Sequence, residues 1–224
     1  MKSRGAFLLL LAGWFAGGCM HPGPQDPARV GPFFVPTNYV GDPSLGGIRR
    51  VVVLPLWGGS AAPAESAAAL DDVVRRALQL QNRFEIVNLT REDCQRRFRT
   101  ESIASTAALP HDLLPALQRE FAADAVLFVD ITAFQPYKPL VLGLRAKLAK
   151  IDGSRLLWTF DQVFASDAPL VANAARHHFI DRDRSVPADL TPAVLQSPAH
   201  FADYAATAMF STLPPVTVPM IVRK

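Results

Sequence analysis

Cysteine is nearly absent: Cys19 and Cys94 are the only two in 224 residues. A pair cannot build a disulfide framework, and if one thiol is consumed by a modification the other has no partner within the chain. Charge of either sign is also in short supply. Lysine and arginine number 23 against 20 acidic residues, a net charge of +3. Lys2 and Arg4 supply much of that excess, and without them the chain is close to neutral. A nucleic-acid-binding surface is therefore not expected. No apolar run reaches the roughly 20 residues of a bilayer-spanning helix. Catalytic signatures are missing as well: no Gly-x-Ser-x-Gly elbow occurs, and Cys94 has no histidine at a recognisable motif spacing.

What is present starts at the first residues. Lys2 and Arg4 form a positive head, Ala6 to Ala16 an apolar stretch, and Gly17 and Gly18 a small-residue approach to Cys19. This is the order of parts in a secretory signal peptide over residues 1–18. Ala16-Gly17-Gly18-Cys19 resembles the lipobox of bacterial lipoproteins, with Ala16 where leucine is usual. The resemblance implies cleavage after Gly18 and lipid attachment at Cys19. Ordinary signal-peptide cleavage, with Cys19 left as a thiol, is the plainer alternative. Two or three acyl chains on one cysteine hold a protein on a membrane essentially permanently. Met20 points to the outer membrane, by resemblance to the sorting rule in which aspartate at that position retains a lipoprotein at the inner membrane.

Residues 19–47 carry Pro22, Pro24, Pro27, Pro32, Pro36 and Pro43 among several glycines, without helical or alternating period, and read as a tether. Phe33, Phe34 and Val35 do not suit a purely solvated linker. They are expected to dock, on the domain itself or, as a partner-binding element, on another protein. The domain is expected over 48–211. Val51 to Leu54 is too continuously apolar to have one face in water and reads as a buried strand. Leu70, Val73, Val74, Ala77 and Leu78 recur at helical spacing towards Asn82 as a C-terminal cap. Phe84 to Asn88 is a second strand, and Thr90 with Asp93 resembles a capping box opening a helix with Cys94 and Phe98 inward.

Asp112 is expected to cap a further helix whose stripe is Leu113, Leu114, Leu117 and Phe121. Ala125 to Phe134 reads as a central strand. Leu142, Leu144, Ala146 and Leu148 alternate with Arg145 and Lys147, Asp152-Gly153 marks a hairpin, and Leu156, Trp158 and Phe160 return on the opposite strand, Trp158 and Phe160 as core residues. Residues 169–179 and 198–210 carry helical patterns, and residues 212–224 read as an extended tail.

Three groups invite a chemical reading. Gly58-Gly59-Ser60 sits between a strand and a helix, where phosphate loops occur. Ala61-Ala62-Pro63 offers no lysine followed by serine or threonine, so a plain connector is expected. His177 and His178 lie near Asp181 and Asp183, yet adjacent helical residues point about 100° apart and cannot easily share an ion, so a solvated charged face is expected rather than a metal site. Asp130 interrupts the most apolar strand. It must be paired, hydrogen-bonded or protonated, with Arg145 or Lys147 on the next strand as the expected partner. An enzyme using Asp130, Asp152 and Asp161 would need these carboxylates to converge in a cleft.

The order of Val51-Val52-Val53-Leu54-Pro55, Phe84-Glu85-Ile86-Val87, Ala122-Ala123-Asp124-Ala125-Val126-Leu127 and Asp152-Gly153 before Leu156-Leu157-Trp158 resembles a superfamily of envelope lipoproteins. It includes the curli-secretion lipoprotein, the lipoprotein activator of penicillin-binding proteins and the N-terminal domain of TolB. The resemblance spans residues 48 to 165. It implies a single α/β domain with a small mixed sheet of about five strands flanked by helices. It also implies a non-enzymatic adaptor or assembly factor, lipid-anchored and facing the periplasm, that binds another envelope protein or itself. Neither cofactor nor metal is expected. A membrane pore is disfavoured, because no second amphipathic hairpin of about ten residues per strand is present. A periplasmic hydrolase or carbohydrate-binding protein is the alternative.

Overall fold

The computed structural model describes residues 26–182 and 188–216. Residues 1–25, with Gly18 and Cys19, and the tail beyond 216 lie outside the described residues, as does Asp183. The chain runs through α1 (Pro27–Val30), β1 (Tyr39–Gly41), β2 (Arg50–Val53), α2 (Ala64–Gln79), β3 (Glu85–Asn88), α3 (Arg91–Phe98) and α4 (Leu113–Phe121). It continues through β4 (Ala125–Gln135), β5 (Val141–Lys150), β6 (Leu156–Ala165), α5 (Pro169–Arg182), a 3-10 segment (Ala188–Gln196) and α6 (Pro198–Ser211). No helix among the described residues is long and apolar enough to cross a membrane.

The strands form one mixed sheet in the order β1-β6-β5-β4-β2-β3, with β2 parallel to β3 and β4 and the other pairs antiparallel. The sheet thus has six strands where about five were expected. The additional strand is β1, three residues with no alternation to betray it, and it pairs with β6 through Tyr39↔Phe160 and Gly41↔Trp158. It comes from the segment read as a tether. Within the described residues that segment lies on the body, with Ala28 and Leu45 fully buried.

Local chemistry explains most element ends. Thr90 caps α3: its Oγ1 accepts from the Asp93 amide at 3.1 Å and donates to the Asp93 carboxylate at 2.9 Å. Gly153 takes φ 71° in the β5–β6 turn, where a side chain would be strained, and Asp152 accepts from the Ser154 amide at 2.9 Å. Two expected caps are corrected. Asp112 stands at the head of α4 but its side chain makes no capping bond. The chain leaves α2 at Leu80, and Asn82 takes its positive φ of 49° two residues further on.

The sheet's two faces are covered unequally. On the first, α2, α5 and α6 bury Val51, Val53, Leu127, Val129, Leu144, Leu148, Trp158, Phe160 and Phe164 against Phe201 and Phe210. On the second, α3 and α4 cover Val52, Leu54, Val126 and Phe128 with Cys94, Leu113 and Leu117. No residue of β1 or β6 belongs to that second cluster. Two short helices supply too little apolar surface to cap six strands.

Candidate docking face

The half of the second face that none of the described helices covers is a shallow cleft lined by Asn38, Tyr39, Val40, Arg145, Lys147, Thr159, Phe160 and Asp161. Register builds it. Residues paired across a ladder point to the same side, so Asp130↔Arg145↔Asp161 form one row and Lys147↔Thr159↔Val40 the next. Arg145 Nε donates to Asp161 at 2.8 Å, and both side chains stay partly exposed. Val40 is 73% exposed and Val163 48%. Counting outward from Asp152-Gly153 brings Arg145 opposite Asp161 to within one residue, so this pair was within reach of the sequence. The contribution of β1 was not.

Next to Arg145 in its row stands Asp130, which is fully buried. Its partner is neither Arg145 nor Lys147, and the expectation is corrected. Ser105, from the loop between α3 and α4, donates to Asp130 from its amide at 2.9 Å and from its hydroxyl at 2.6 Å. Lys147 instead donates to the Ser105 carbonyl at 2.8 Å. The loop is clamped between a buried carboxylate and a lysine. Cross-strand proximity favours Arg145, but Asp161 on the outer side takes it, leaving Asp130 free to hold the loop.

The other weighed groups are dispersed. Asp152 sits at the hairpin tip with Lys150 and Ser154, whose hydrogen bonds hold its carboxyl well below the usual range. Asp130 and Asp161 lie two strands apart, about 10 Å by sheet spacing, with Arg145 between them. The three carboxylates do not oppose one another across a cleft. Gly59 takes φ 49°, and a Cβ there would meet the Trp57 ring at 2.2 Å, so this glycine permits close packing under an indole. His177 Nδ1 lies 2.9 Å from the Ala28 carbonyl oxygen, whereas His178 Nε2 lies 3.0 Å from the Asp203 carboxylate. The two imidazoles go to different partners.

Asp203 ties α5 to α6, accepting from Arg182 as well as contacting His178. Burial alone would raise its pKa; the hydrogen bonds from His178 and Arg182 more than offset this and leave it lowered. A carboxylate with a lowered folded pKa stabilises above the ordinary carboxylate value and loses that contribution as pH falls through the folded one. Asp203→Asn is therefore expected to cost about 1–3 kcal/mol at pH 7. The gap from the parent should narrow as urea midpoints are taken below the ordinary carboxylate value of about 4; a gap independent of pH would contradict the pairing.

Cys94 is fully buried and free. Burial, with Asp93 adding to it, pushes the thiol up to about 11. Little thiolate exists near neutrality. Maleimide is expected to leave Cys94 unlabelled in the folded protein at pH 8 and to label it fully in denaturant. Rapid native labelling would show the α3–sheet contact to be open.

Phe33 and Phe34, the candidate partner-binding residues, pack on the protein's own body. Phe33 stacks on His177 with ring centroids 4.3 Å apart, and Phe34 meets Phe164 edge-on at 5.6 Å.

No family model matches the sequence, and no curated protein does. Solved structures similar to the chain include the PelC dodecamer from Paraburkholderia phytofirmans, at 11% identity and TM-score 0.40, covering 76% of this chain and 94% of that one. Lipoprotein GNA1162 from Neisseria meningitidis is 14% identical with TM-score 0.42, over 61% of this chain and 99% of that one. The LpoB C-terminal domain from Escherichia coli is 14% identical with TM-score 0.37, over 55% and 86%.

Proposed function

We propose that the mature chain is a lipid-anchored domain of the bacterial cell envelope, held at the outer membrane through Cys19 after cleavage behind Gly18. Facing the periplasm, it acts without catalysis as an adaptor or assembly factor. It binds another envelope protein or a second copy of itself through the open half of the sheet's second face. The observation that carries the binding role is that half-covered sheet. Exposed Val40 and Val163 sit there beside the Arg145–Asp161 pair, the mixture of apolar surface and orientable charge found at protein interfaces. The edge strand β1 adds unpaired backbone groups beside it.

A photoreactive side chain at Val40 or Val163 is expected to give one discrete adduct in native envelopes, and at Leu80, exposed on the far side of the sheet, none. The adduct's mass distinguishes a second copy from a different protein. The same adduct from Leu80, or no adduct from Val40 and Val163, would count against the assignment.

A further inference from the structure

We infer that the outer side of the strap Asp26–Val35, with the start of α5, is the surface this body turns towards the lipid bilayer. The inference rests on Cys19 carrying the anchor. Six residues separate Cys19 from Asp26, so even a fully extended chain allows at most about 25 Å between them. A folded body of this size has a radius of gyration of about 16 Å and is roughly 40 Å across. The leash is shorter than the body it holds. The place where the strap meets the body therefore decides which side faces the membrane.

That place is well defined. Asp26 is bound by Arg176 of α5 at 2.7 Å and accepts from the Ala28 amide at 3.0 Å. From there the strap runs back along α5. The Ala28 carbonyl meets His177, the Pro32 carbonyl accepts from Asn173, and the Phe34 amide donates to the Leu170 carbonyl at 3.1 Å. With Phe33 and Phe34 turned inward, their neighbours are left outside: Val30 is 57% exposed, Val35 71% and Leu170 43%. Leu170 lies six residues before Arg176, about 9 Å along the helix. The exposed apolar side chains thus lie within reach of the anchored end. Arg29, also exposed, can lay its stem on apolar surface and keep its charge among headgroups. An apolar patch tethered this close to lipid is covered by lipid at no further ordering cost to the chain. The β3 edge, by contrast, lies four strand spacings from β6, about 19 Å across the sheet.

The test uses the full lipidated protein in vesicles whose acyl chains carry bromine. A small fluorophore is placed on a cysteine introduced by Val30→Cys, Val35→Cys, Leu80→Cys or Gln95→Cys. All four sites are exposed, the last two lie at the end of α2 and on α3, the helices before and after β3 in the chain, and buried Cys94 stays unlabelled. Several-fold stronger quenching at Val30 and Val35 than at Leu80 and Gln95 is expected. Equal quenching at all four, or stronger quenching at Leu80 or Gln95, in protein that floats with the vesicles would overturn this orientation alone. Protein that does not float would overturn the anchoring on which it rests.

Discussion

Substituting Cys19 by serine is expected to move the protein from the membrane fraction to the soluble fraction while leaving the thermal transition of the body unchanged. The two halves of that result have separate causes. Each buried methylene of an acyl chain contributes about 0.8 kcal/mol to membrane binding, so losing two or three chains abolishes retention rather than weakening it. Among the described residues no helix could replace the anchor. The body, in turn, takes its order from contacts that begin at Asp26, where Arg176 and the Ala28 amide hold the carboxylate. Fractionation of envelopes, with mass measurement of the mature N-terminus, checks the first half; thermal unfolding of the detergent-solubilised parent and the variant checks the second. A parent protein without fatty acid, or a variant that stays with the membrane, would remove the basis of the proposed function. A large drop in Tm would show that the lipidated end is part of the fold.

Trp158→Ala is expected to be the most destabilising single substitution in the body, at about 3–5 kcal/mol. Its indole is fully buried, lies 6.0 Å from the Phe160 ring and 6.1 Å from that of Phe210, and donates from Nε1 to Thr212 at 3.1 Å. It also backs the edge of the sheet, since Gly41 pairs with it and a Cβ on Gly41 would approach its ring at 3.3 Å. Truncation therefore opens a cavity at the point where β1, β6 and α6 meet. Against a typical stability of about 5–15 kcal/mol, that is a large share, and at roughly 2–4 °C per kcal/mol for a domain of this size Tm falls by about 10 °C. Trp158→Phe should cost far less, because Thr212 keeps its bond to the Met209 carbonyl at 2.7 Å. Calorimetry of the two variants checks this. A loss below about 1 kcal/mol for the alanine variant, outside the range for emptying an aromatic site, would mean that α6 does not close on the sheet as described.

The legible elements are those whose pattern is local. β4 announces itself as an apolar run broken chiefly by Asp130, because both its neighbours are strands and both its faces are largely covered. The β5–β6 hairpin is legible because a tight turn and period-two alternation agree. Thr90 and Asp93 are legible because a capping box is closed within four residues. The Ser105 clamp on Asp130 was not, since its partners lie 25 residues apart in the chain and no rule of spacing favours serine over the nearby arginine. Likewise, β1 is three exposed residues whose strand character exists only while β6 offers its edge.

By itself the sequence determined the mixed α/β class and the hairpin, and it carries the expectation of an export signal and of an anchor at Cys19, because each depends on residues close together in the chain. Only the tertiary structure decided that residues 26–47 lie on the body, that half of one sheet face stays open among the described residues, and that Asp130 serves a loop rather than a cross-strand cation. Those outcomes depend on which surfaces remain unburied once all the elements have competed for partners. That competition is settled by packing across the whole domain, not by any window of residues.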